Sequence, residues 1–168
     1  FVPTGVLLDP QARVLDARTK RSRQFAGTPT INFSDQYITV NVQANSDTAQ
    51  LELLHSYLPP TGLTDLPPGF SSQVERYWTV RGHLPGGLRA SVTLNYDGLN
   101  GPDTSWINQE DSIVVIYRPD PGQPWQVIQP ASRNIDFNGD DQGSVTLDSL
   151  RKGQYSFAVA GAVTGRLA

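Results

Sequence analysis

At 168 residues, 18.4 kDa and a formal net charge of −3, the chain has the size of one domain, able to bury roughly two-thirds of its unfolded surface. Zero Cys excludes a disulfide framework, a thiolate zinc site and a cysteine nucleophile, and two His argue against a multi-histidine metal centre. No apolar run reaches the length of a membrane span, and the mildly acidic balance points away from nucleic acid.

Residue 1 is Phe, no Met occurs, and no charged segment leads into an apolar one as in a signal peptide, so the chain reads as processed or trimmed. Short strands are predicted at 5–8 and 12–16, carried by Val6, Leu7, Leu8, Val14 and Leu15. Arg18, Lys20, Arg21 and Arg23 follow and read as a solvated basic connector or a hinge. Residues 1–29 are thus an N-terminal strand or arm plus connector, closed by Gly27-Thr28-Pro29, and 30–168 form the domain proper.

Beyond residue 30 apolar residues recur at period 2 and never at helical spacing. Further strands are predicted at 30–33, 37–43, 49–57, 74–82, 88–96, 111–118, 124–129, 133–137, 143–148 and 154–161. Tyr37-Ile38-Thr39-Val40-Asn41-Val42 and Ser91-Val92-Thr93-Leu94-Asn95-Tyr96 alternate cleanly. Ile113 to Tyr117 is a continuous apolar run, as in a strand buried on both faces. Loops are predicted at 82–88, around Pro85-Gly86-Gly87, and at Pro119 to Pro124. Helix is limited to a turn or two near 102–109. The pattern predicts an all-β, antiparallel β-sandwich of immunoglobulin-like or jelly-roll-like type.

Candidate chemistry is sparse. Asp136, Asn138 and Asp140 fall at positions 1, 3 and 5 of a calcium loop, making calcium the one cofactor the sequence leaves open. The pattern then departs, with Asp141 in place of Gly and Leu147 in place of the bidentate Glu. The alternative is an Asn138-Gly139 hairpin turn. Among three Trp, Trp78 and Trp125 suit packing, and Trp106, in a loop, is the candidate ligand platform for a glycan. His55 is read as strand surface and His83 as a turn residue. No Gly-x-Ser-x-Gly elbow and no paired glutamates are present, so an enzyme is not expected. Asn32-Phe33-Ser34 is an N-glycosylation sequon. Asp followed by Ser or Thr and a small or apolar residue recurs at Thr48, Thr104, Ser112 and Ser149, a triplet similar to the O-glycosylation motif of some exported bacterial proteins. Ordinary turn chemistry also explains it.

Residues 49–161 carry, in order, Glu75-Arg76-Tyr77-Trp78-Thr79-Val80, Val92-Thr93-Leu94-Asn95-Tyr96-Asp97, Ile113-Val114-Val115-Ile116-Tyr117-Arg118 with Trp125 a turn later, Gly143-Ser144-Val145-Thr146-Leu147 and Tyr155-Ser156-Phe157-Ala158-Val159-Ala160. This order resembles a β-sandwich domain recurring in large secreted and surface proteins of bacteria, including type IX secretion cargo. No C-terminal sorting domain of such cargo is read after Ala160. The resemblance implies an extracellular or cell-surface location and a structural or adhesive role without catalysis.

Two expectations follow. The first is a non-catalytic exported subunit that self-assembles into a homo-oligomer or polymer, a filament or surface layer, by strand or arm exchange through Val6, Leu7, Leu8, Val14 and Leu15. The second is a carbohydrate-binding or adhesin module using Trp106.

Overall fold

The computed structural model describes residues 18–99, 101–103, 110–135 and 141–161. Ile38, Val40 and Val42 are buried while Asn41 and Gln43 are exposed, and Leu51 and Leu53 are buried beside exposed Gln50. Period-2 sequence thus becomes half-buried strand. In chain order the strands are β1 Arg18–Phe25, β2 Thr30–Phe33, β3 Ile38–Ala44, β4 Ala49–Ser56, β5 Phe70–Ser71, β6 Tyr77–His83, β7 Arg89–Asp97, β8 Ile113–Arg118, β9 Gln126–Ile128, β10 Ser132–Ile135, β11 Gln142–Leu147 and β12 Gly153–Ala160. Short 3₁₀ turns cover Ser34–Gln36, Leu63–Asp65 and Glu110–Ser112. None of the helices among the described residues is long and apolar enough to cross a membrane.

The strands make two antiparallel sheets, as a β-sandwich requires. One runs β1-β4-β6-β12-β8-β9, with β5 also paired to β12; the other runs β10-β11-β7-β3-β2. The last strand in the chain, β12, therefore lies inside its sheet between β6 and β8. The chain passes between sheets from β1 to β2 in residues 26–29 and from β9 to β10 in residues 129–131. Links this short place β1 beside β2 on one flank of the sandwich and β9 beside β10 on the other.

The main core fills the space between the sheets. Leu51, Leu53, Trp78, Val80, Val115 and Phe157 face Ile38, Val40, Val92, Leu94, Val145 and Leu147. Each such side chain contributes roughly 1.5–3 kcal/mol on burial. A second cluster lies on the outer face of the seven-stranded sheet, where Val114, Ile116, Trp125 and Ala158 are covered by Leu63, Leu66 and Phe70. These two clusters explain why all six residues of β8 are buried. Two glycines permit close strand contact. Gly82 (φ +110°) and Gly153 (φ +139°) would place a Cβ 2.1 Å from the Gln50 carbonyl oxygen and 2.4 Å from the Arg118 carbonyl oxygen respectively.

Three features differ from the sequence reading. The basic run at 18–23 is no connector; it is most of β1, paired over eight residues with β4. The short strand β5 carries no alternation to signal it. His55 is fully buried instead of lying on a strand surface. The predicted strands at 5–8 and 12–16, and most of the predicted turn near 102–109, lie outside the described residues.

Candidate assembly interface

The β1–β2 flank carries an open concavity with charged and polar side chains in its walls. Arg21 pairs with Leu53 and Arg23 with Leu51 in the β1–β4 register. Directly opposed residues in an antiparallel pair share a face. Because Leu51 and Leu53 face the core, Arg21 and Arg23 turn to the same interior side, with Thr19 and buried Phe25. The intervening Lys20 lies on the outer face, where its Nζ is 2.8 Å from a Glu52 carboxylate oxygen.

Two side-chain contacts close one end of the flank. Arg21 Nε donates to Asp35 Oδ2 at 2.8 Å, and Gln36 Nε2 donates to Thr19 Oγ1 at 3.1 Å. Beyond them, residues 21–26 and 29–33 line a groove of about 600 Å³. Phe25, Ile31 and Phe33 form its apolar floor, and Arg21, Arg23, Gln24 and Asn32 its polar rim. Because β1 and β2 end their sheets, each has an outer row of backbone N–H and C=O groups without a partner strand among the described residues. Among those residues, no carboxylate lies within ion-pair distance of Arg18 or Arg23.

Deeper in the sandwich a second cationic centre is sealed. Arg76 and Asp103 are both fully buried. Arg76 Nε donates to Asp103 Oδ1 at 2.8 Å and Nη2 to the Asn95 carbonyl at 2.8 Å, and the Asp97 N–H donates to Asp103 Oδ2 at 2.9 Å. The guanidinium carbon lies 4.5 Å from the Trp78 ring centroid and 4.8 Å from that of Tyr37. Burial lowers the proton affinity of Arg76, and the Asp103 carboxylate opposes that. His55 stacks on Trp78 with centroids 5.1 Å apart, and neither ring nitrogen has a hydrogen-bond partner among the described residues. Burial first, and the Arg76 charge second, hold its pKa down at about 3, so it is neutral. On the outer face, Arg118 lies 4.3 Å over Trp125, with Nε donating to Gln154 Oε1 at 2.7 Å and Nη2 to Thr61 Oγ1 at 3.0 Å.

The remaining sequence candidates are scattered. Thr48 is exposed in the β3–β4 turn, where its N–H donates to the Asp47 carboxylate at 2.6 Å. Ser149 is exposed after β11, and Ser112 is half-buried before β8. Asn32 is exposed on β2 at the groove, and its Oδ1 accepts from Thr39 Oγ1 at 3.3 Å. Trp78 and Trp125 are buried, so neither forms an exposed platform. Trp106, Thr104, the three calcium candidates Asp136, Asn138 and Asp140, and the assembly candidates Val6, Leu7, Leu8, Val14 and Leu15 lie outside the described residues. Among the described residues, no three His, Asp or Glu side chains group as a metal site. The sequence reading missed Arg21 and Arg23 as groove residues and the Arg76–Asp103 pair. The Leu51-x-Leu53-x-His55 alternation was the signal for a buried His55.

Together these features define the class of the protein, an antiparallel β-sandwich. Comparison with protein-family models, with curated proteins and with solved structures finds no match to this chain.

Proposed function

We propose that the chain is a non-catalytic structural subunit whose copies join through the β1–β2 flank. The observation that carries this reading is the groove between two sheet edges, with an apolar floor and walls whose outer backbone has no partner strand among the described residues. Strand addition to an exposed edge is a general mode of protein association, with main-chain hydrogen bonds supplying affinity and side-chain pockets specificity. Residues 1–17, which directly precede β1, supply apolar sequence for such a contact. A contact in which one copy gives an arm and the next receives it is heterologous, and it builds an open chain unless the rotation closes. Placement outside the cell, on or beyond its surface, rests on the resemblance of residues 49–161 to domains of secreted and surface proteins.

Light scattering and negative-stain microscopy of the full chain, beside a form lacking residues 1–16, test the proposal. The full chain is expected to form large regular assemblies and the shortened form to remain monomeric. Equal assembly of the two forms overturns the arm's part in it, and a monomeric full chain overturns self-association altogether. The carbohydrate-binding alternative gains nothing from Trp78 or Trp125, whose rings are packed against protein.

A further inference from the structure

We infer that the β1–β2 groove receives, as an extended strand, the Val6-Leu7-Leu8-Asp9 segment of a second copy, with the Asp9 carboxylate at Arg23. This rests on the proposed self-association and names its donor segment and its polar anchor.

The dimensions agree. Residues 21–26 of the β1 wall span roughly 20 Å at about 3.3 Å per residue, and an extended Gly5–Asp9 spans roughly 17 Å. Residues 10–17 then leave up to about 26 Å of chain to connect the donor segment to its own β1. Pro10 follows Asp9 directly. It has no N–H to donate, so a β-ladder stops there.

The chemistry agrees as well. The floor of Phe25, Ile31 and Phe33 is apolar and takes the Leu7 side chain, which shares a face with Asp9 in an extended strand. The rim is cationic. Arg21 is already bound to Asp35, whereas Arg23 stands at the same interior face with no carboxylate in reach among the described residues. An inward-turned charge on an edge strand deters casual pairing, because an apolar strand would bury it unpaired. A donor whose apolar run ends in an acid removes that penalty. The Arg23 guanidinium thus acts as a selector for the right strand as well as an anchor.

The sequence contains no Cys, so a disulfide reports only on introduced pairs. Full-length Leu8→Cys chains, whose residue 8 shares the outer face with Ser22 when Asp9 lies at Arg23, would be mixed with full-length Ser22→Cys chains and oxidised with copper phenanthroline. Gln126→Cys on β9, on the opposite flank, replaces Ser22→Cys as the control. A disulfide-linked dimer that forms with Ser22→Cys and not with Gln126→Cys is the expected result. Arg23→Glu is expected to weaken self-association severalfold, and Asp9→Arg added to the same chain to restore it. Normal self-association with no excess cross-link over the control overturns this inference while leaving the proposed function standing. A Leu8→Cys/Ser22→Cys double variant that cross-links within a dilute monomer overturns the second copy as occupant. No self-association by sedimentation, with native unmodified chain, overturns the functional reading itself.

Discussion

Arg76 and Arg23 both turn toward the space between the sheets, and their surroundings differ in one decisive way. Arg76 meets Asp103, brought in by the loop after β7, and is fully buried with its carboxylate, the Asn95 carbonyl and two aromatic rings. Arg23 stands at the mouth of the β1–β2 flank, exposed and with no such partner among the described residues. A buried ion costs several kcal/mol in desolvation unless its partner is in place. The chain supplies that partner where water is shut out. At the mouth, solvent solvates the charge. The pair of sites separates a cation that holds loops onto a sandwich from one that faces solvent.

The comparison breaks most sharply at the sealed site. Asp103→Ala, or Arg76→Met alone, is expected to cost about 3–5 kcal/mol in chemical denaturation, since each leaves one charge buried without its partner. Combining Arg76→Met with Asp103→Leu is expected to recover much of that loss. A double variant no more stable than either single one would show that the pair is not what is being measured.

The next effect is in pH. His55 has a folded pKa of about 3 against an ordinary value of 6.5, so below pH 6.5 the unfolded chain binds a proton that the folded chain refuses. Stability from this group is therefore intact above pH 6.5. It falls by about 1.4 kcal/mol per unit as pH drops toward 3. His55→Phe is expected to flatten that slope, measured by urea denaturation between pH 7 and 4.

The outer stack is weaker. Arg118→Ala removes a cation–π contact and two hydrogen bonds from the guanidinium to neutral acceptors, with an expected loss of about 1–2 kcal/mol in the same assay. On the outer face of β1, Lys20→Ala is expected to change folding stability by only about 0–1 kcal/mol, because the Lys20–Glu52 pair is largely solvent-exposed. A larger thermal-melt shift for Lys20→Ala than for Arg118→Ala would reverse the contrast between packed and solvated cations.

Most strands were legible because each has one face on the core, which forces apolar residues to alternate. The run from Ile113 to Tyr117 also announced burial on both faces, and β8 lies between two hydrophobic clusters. β1 was illegible for the opposite reason. Its interior-side residues are Thr19, Arg21, Arg23 and Phe25, so alternation carries charge where a covered strand carries Val or Leu. Such a strand reads as a solvated basic run until its eight-residue pairing with β4 is seen. The Arg76–Asp103 contact was illegible because it joins residues from separate loops, and no local spacing encodes that meeting. The groove has the same origin. Its walls are two ordinary strands, and its shape comes from the two sheets ending side by side.

The interior position of β12 has a consequence for how the protein comes into being. The sheet that holds β6 and β8 cannot close until Gly153–Ala160 exists to lie between them. During synthesis at about 5–20 residues per second, the interval from His83 to Ala160 lasts roughly 4–15 s. Throughout that time β6 has one ladder unfilled. Such long-range closure is slow even for a free chain. A newborn copy therefore presents a temporary strand vacancy in the middle of a sheet, open to pairing with any extended segment that meets it. Keeping nascent chains apart until β12 arrives is a requirement the topology places on the cell.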